Sequence, residues 1–188
     1  MRMIPILAAT LALAAPLAAQ QPALVAAAST RASAVLSVSP ARVQGQPAPK
    51  AMTVTIDYGQ PHARGRDVPT ELATDGTVWR TGANAATTMT SQVDLTIGGA
   101  AVPKGAYSLY TIREKGRYLL IINNNTGQWG TEYDASKDLV RVPLRHRASA
   151  EVTESMVIAF VPASEAPAKG TLTIAWGKLH LAADWSAR

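Results

Sequence analysis

The stretch Val78-Trp79-Arg80-Thr81-Gly82-Ala83-Asn84-Ala85-Ala86-Thr87 sets an indole, a guanidinium, two hydroxyls and a carboxamide around one glycine. A guanidinium fork matches a carboxylate or phosphate, and Arg64 and Arg66, upstream in a Gly- and Pro-rich stretch, offer the same chemistry. A second polar run, Asn123-Asn124-Asn125-Thr126-Gly127-Gln128-Trp129-Gly130-Thr131-Glu132-Tyr133-Asp134, carries aromatics among amides. Asn125 and Gln128 can donate and accept, and the faces of Trp129 and Tyr133 can stack on a sugar ring or an aromatic ligand. The candidate ligand-binding residues are therefore Arg66, Trp79, Arg80, Asn84, Asn125, Gln128, Trp129 and Tyr133, and the chemistry they suit is recognition of a small anionic or carbohydrate ligand. A plainer use exists for the same groups: Arg80 can pin a loop by pairing with Asp57 or Asp75, and Trp79 and Trp129 can plug the ends of a core.

Catalytic residues are not assigned by the sequence. Cysteine is absent, and no serine sits in a Gly-x-Ser-x-Gly elbow. A hydrolase of cell-envelope polymers, the rival function, would need Asp57 or Asp134 to act with His62 as acid and base. His62, His146 and His180 are far apart and without partners at ligand spacing, so no metal is expected, nor any cofactor. Gly65, Gly82 and Gly130 serve tight turns or close approach, since no glycine-rich loop opens a long helix that could cradle phosphate. The third possibility is a protein-interaction module that adds a strand to another sheet.

The chain of 188 residues carries 18 Lys and Arg against 13 Asp and Glu. The bases are scattered and little interleaved with aromatics, which argues against a nucleic-acid groove. Met1-Arg2-Met3 followed by an Ala- and Leu-rich run over 4–19 has the order of a secretory signal, cut after Ala19 or alternatively after Ala28. Pro5 and Pro16 oppose a stable spanning helix, so no membrane insertion is expected once the signal is removed, and the product is expected to be periplasmic or secreted.

The elements that must position the candidate groups are strands. Residues 20–50, rich in Ala, Ser, Gln and Pro, read as a flexible lead-in with an edge strand at Val35-Leu36-Ser37-Val38. The domain proper spans 51–188. Met52, Val54, Ile56 and Tyr58 alternate with Thr53, Thr55 and Asp57 as in a half-buried strand. One helical turn is expected at Pro69-Thr70-Glu71-Leu72. Strands follow at 87–90 and 93–97, with a Gly98-Gly99 turn, and Glu114-Lys115-Gly116 reverses 106–112 into 117–122. Further strands are expected at 138–142, 155–161, 171–176 and 178–181. About nine short strands with two long polar loops predict an all-β, antiparallel, jelly-roll-like sandwich.

Several of these segments together resemble the DUF2911 family of exported bacterial proteins. They are Tyr58-Gly59-Gln60-Pro61 with Gly65-Arg66, the stretch from Val78 through Asn84, Ile97-Gly98-Gly99, Pro103-Lys104-Gly105-Ala106-Tyr107-Ser108-Leu109, and Asn125 with Gln128-Trp129-Gly130. The resemblance covers residues 33–176. It implies export and a single domain, and because the family is uncharacterised it implies no activity.

Overall fold

The computed structural model describes residues 23–71, 73–164 and 166–188, so the leader expected over 1–19 lies outside the described residues. Among the described residues ten strands form: β1 (Thr30–Val38), β2 (Met52–Gln60), β3 (Val78–Trp79), β4 (Thr87–Ser91), β5 (Leu95–Ile97), β6 (Ala100–Val102), β7 (Gly105–Glu114), β8 (Arg117–Asn123), β9 (Asp138–Ala163) and β10 (Ala166–Ala187). A helical turn, α1 (Val68–Glu71), and a 3-10 turn (Ala135–Lys137) accompany them. The strands form one antiparallel path, β1-β2-β4-β7-β8-β9-β10-β5-β6, with β3 beside β7. The path folds back on itself so that two layers enclose a core, as an all-β sandwich requires.

The half-buried alternation of β2 holds: Val54, Ile56 and Tyr58 are buried, while Thr53, Thr55 and Asp57 are partly exposed. The inner faces of β7 and β8 supply Leu109, Leu120 and Ile122, and the opposite layer answers with Ile158, Leu172, Ile174 and Trp185. Tyr58 ties the layers together by a polar contact as well, since its hydroxyl accepts from the Ile158 N–H at 3.2 Å. Beyond its last residue β2 continues to touch β9: the Pro61 carbonyl accepts from Met156 N–H (2.9 Å) and Ala63 N–H donates to the Glu154 carbonyl (2.8 Å). This contact is too short to close the sheet into a barrel.

Two departures from the sequence reading shape the molecule. The four strands expected after residue 138 are two, β9 and β10, of 26 and 22 residues. The connecting segment Arg145-His146-Arg147-Ala148 has no alternation, yet it pairs with Ala182 through Leu179 of β10, because backbone hydrogen bonding can hold a strand that side-chain pattern does not advertise. The register shifts on either side of Gly177, where a positive φ of 58° bends the strand. The second departure is a satellite core on the other face of β7 and β8, where Tyr110, Ile112 and Ile121 are buried with Ala86. Val78, Leu119 and Tyr133 pack against it. This explains why β8 reads as an unbroken apolar run instead of alternating: it is covered on both faces.

Candidate functional site

The cover on that outer face is made by the two polar stretches, which meet. Ala85 and Trp129 form an antiparallel bridge. Ala86 N–H donates to the Gln128 carbonyl (3.2 Å), and Gly130 N–H donates to the Asn84 carbonyl (3.0 Å). Gly130 is required by the fit, because a Cβ there would stand 2.2 Å from Arg80 Cδ and 2.6 Å from the Asn84 carbonyl oxygen.

The first stretch holds its shape under strain. Thr81 and Asn84 adopt positive φ, 48° and 65°. For a β-branched residue this backbone is an outlier costing about 1–3 kcal/mol, kept only where surroundings enforce it. Here they do. Thr81 is wholly buried, its Oγ1 lies 2.7 Å from Thr111 Oγ1, and its carbonyl accepts from Thr87 Oγ1 at 2.8 Å. Ala83 N–H donates to the Gly59 carbonyl (3.0 Å), and a Cβ on Gly59 would fall 2.0 Å from the Ala83 oxygen.

The second stretch is pinned from below. Gln128 Nε2 donates to Ser108 Oγ (3.2 Å) and Tyr110 Oη (2.9 Å). Asn123 Nδ2 donates to the Asp134 carbonyl and to Asp138 Oδ1, at 2.9 and 2.8 Å. Tyr133 donates its phenolic proton to Asp138 Oδ2 (2.6 Å) and accepts from Arg141 Nη2 (3.1 Å). Burial first, then the bond to the Asp138 carboxylate, push the Tyr133 hydroxyl up to about 12, so it stays protonated at any physiological pH.

Between these stretches lies a cavity of about 410 Å³, at the small end of the range for ligand pockets. Five of the eight residues proposed from sequence line it: Arg66, Trp79, Arg80, Asn84 and Tyr133. Asn125, Gln128 and Trp129 do not. Gln128 is turned onto β7, Asn125 closes a turn with its N–H on Asn123 Oδ1 (2.9 Å), and Trp129 stands 51% exposed outside the cavity. Trp79 is buried and stacks on Trp176, ring centroids 5.3 Å apart and planes 21° from parallel.

Neither carboxylate proposed to pin Arg80 does so. Asp57 pairs with Arg31, and Asp75 lies 3.9 Å from Arg113. Among the described residues the Arg80 guanidinium has no ion-pair partner, whereas Arg66 donates from Nε and Nη2 to the carbonyls of Ala63 (2.9 Å) and His62 (2.8 Å). The groups named for a hydrolase are engaged separately: His62 Nδ1 lies 2.7 Å from Ser155 Oγ, Asp57 holds Arg31, and Asp134 accepts from the N–H and hydroxyl of Ser136. Among the described residues no three His, Asp or Glu side chains gather in a metal-binding group, and no helix is long and apolar enough to cross a membrane.

A family model described as "Protein of unknown function (DUF2911)" matches residues 39–184. The chain belongs to this DUF2911 family. No curated protein and no solved structure matches it. The family match starts just after β1 and contains every residue that lines the cavity except Ser29. Sequence reading of this DUF2911 chain missed three participants. Thr111, Ser108 and Trp176 look like ordinary strand residues, and only long-range pairing brings them under the loops. A polar residue inside an apolar strand, as Ser108 and Thr111 are in Tyr107-Ser108-Leu109-Tyr110-Thr111-Ile112, is the signal that could have pointed to them.

Proposed function

We propose that this protein is a non-catalytic binding domain that takes a small anionic ligand in the cavity between the two loops, with Arg80 as the principal contact. The reading is carried by the unneutralised guanidinium of Arg80 in a cavity that, among the described residues, no Asp or Glu lines. An arginine left without a carboxylate in a concave site supplies a fork of donors to an incoming carboxylate or phosphate, and the walls of lower dielectric strengthen that attraction. The strained backbone at Thr81 and Asn84 fits the same reading, because strain is retained where a side chain must be aimed. The anionic ligand is favoured over a stacked sugar: Trp79 and Trp176 cover each other's faces, and Trp129, the open indole, lies outside the cavity.

The test is a thermal-shift screen of simple anions, cell-wall fragments and oligosaccharides against wild type and Arg80→Gln. A ligand at about a hundred times its Kd adds about 2.7 kcal/mol, a rise of roughly 5–10 °C for a chain of this size. The rise is expected in wild type and absent in Arg80→Gln. A ligand that stabilises both proteins equally, or stabilisation only by neutral oligosaccharides, refutes the proposal.

A further inference from the structure

If the cavity takes an anion, as proposed for Arg80, its own charge also bears on which anion that is. Arg66 and Arg80 are both present in the lining, and among the described residues no acid is. Arg66 also borders a neighbouring hollow with Asp67 and Glu154, but neither neutralises it at ion-pair distance. Asp67 accepts from Thr70 Oγ1 (2.8 Å) and Glu154 from the Arg64 N–H (2.8 Å). The two carbonyls that receive Arg66 Nε and Nη2 fix the plane of its guanidinium and leave its charge in place, with Nη1 free to bond elsewhere. Tyr133, the other titratable group in the lining, keeps its proton in a hydrogen bond donated to Asp138 and brings no charge. The described lining thus holds two cations and no anion.

We infer that the ligand is a dianion, a dicarboxylate or a phosphate monoester, with one negative charge met by Arg80 and the other by Arg66. Arg66 is exposed and Arg80 half-buried, so water can serve both when the cavity holds no ligand; a second negative charge adds a charge-assisted contact at Arg66 that a monoanion cannot make. Arg80, with its whole fork open, is the primary contact. Arg66, held in one plane by the chain itself, is the selector for the second charge.

The experiment is isothermal titration at low ionic strength with acetate, succinate, inorganic phosphate and glycerol phosphate, using wild type, Arg66→Gln, Arg66→Lys and Arg80→Gln. Wild type is expected to bind at least one dianion about tenfold or more tighter than acetate, one added charge-assisted contact being enough for that ratio. Arg66→Gln should erase this preference, weakening the dianions far more than it weakens acetate, and Arg66→Lys, which keeps the charge, should retain part of it. Arg80→Gln should lose every anion. Succinate favoured over both phosphates would assign separated charges, and the reverse a single doubly charged centre. Acetate binding as tightly as the dianions in an Arg80-dependent way overturns the dianion while sparing the anion site. The inference also falls if the preference survives Arg66→Gln, or if Arg66→Lys loses as much as Arg66→Gln, since the arginine would then act through loop geometry. Failure of wild type to bind any of the four overturns both readings.

Discussion

Replacing Gly130 by alanine tests the joint between the loops with a single methyl group. The added Cβ would lie 2.2 Å from Arg80 Cδ, 2.6 Å from the Asn84 carbonyl oxygen and 3.0 Å from Arg80 Cβ. Arg80 can swing away, but the Asn84 carbonyl cannot, because it is backbone and accepts the Gly130 N–H at 3.0 Å. Forcing such a contact costs about 1–3 kcal/mol, and parting the loops adds about 1 kcal/mol for the lost hydrogen bond. Gly130 does not have positive φ. Alanine therefore suffers no left-handed strain there, and its smaller unfolded-state entropy offsets about 0.4–1 kcal/mol. The net loss is about 2 kcal/mol, read as a fall in Tm of roughly 4–8 °C. Gly127→Ala is the matched control: its φ of 85° strains an alanine, but no atom lies within 4 Å of the new Cβ. Both variants should lose stability in thermal unfolding, and Gly130→Ala alone should also lose the anion-induced shift, since it displaces Arg80. A Gly130→Ala protein with the wild-type Tm and an intact anion response would refute the claim that the two loops are in contact through this residue.

Thr111→Val keeps the shape of the side chain but removes the closer partner of the buried Thr81 hydroxyl, leaving it a contact of 3.5 Å to the Trp79 carbonyl; about 1–3 kcal/mol should be lost, with faster amide hydrogen exchange confined to residues 80–84. Exchange unchanged in that stretch would show that Thr111 does not hold it. Tyr133 should ionise late in an absorbance titration at alkaline pH, its folded-state value of about 12 standing above the ordinary 10.0. Because the folded state keeps that proton longer than the unfolded chain, the associated stability is complete below pH 10 and is lost as pH rises toward 12. Asp138→Asn should bring Tyr133 down by weakening the bond and removing the neighbouring negative charge. Ionisation of Tyr133 at the ordinary value in wild type would contradict the hydrogen bond to Asp138.

The parts of this architecture legible in sequence are those written by local pattern. Alternation from Met52 through Tyr58 marked both the strand and its buried face, and Glu114-Lys115-Gly116 marked the hairpin between β7 and β8. That these two stretches are loops was legible too, because they crowd polar groups and glycine together without the alternation of a strand. What the loops do to each other was not. Whether Trp129 faces the cavity or solvent, and whether Gln128 reaches a ligand or Tyr110, depends on pairings between residues 44 and 18 positions apart that no periodicity encodes. The length of β9 was hidden for another reason. Arg145, His146 and Arg147 are exposed on a strand held by backbone bonds to β10, so their polarity mimics a loop.

The continuity of β9 and β10 has a mechanical consequence. β9 pairs with β8 through Leu144 and then with β10 from Arg145 onward, passing from one layer into the other without a break. Layers joined by an uninterrupted strand cannot slide or hinge apart as separate plates. Any change in the shape of the cavity is therefore expected in its rim, the short spans around Asn84 and Gly130, and not in the walls beneath.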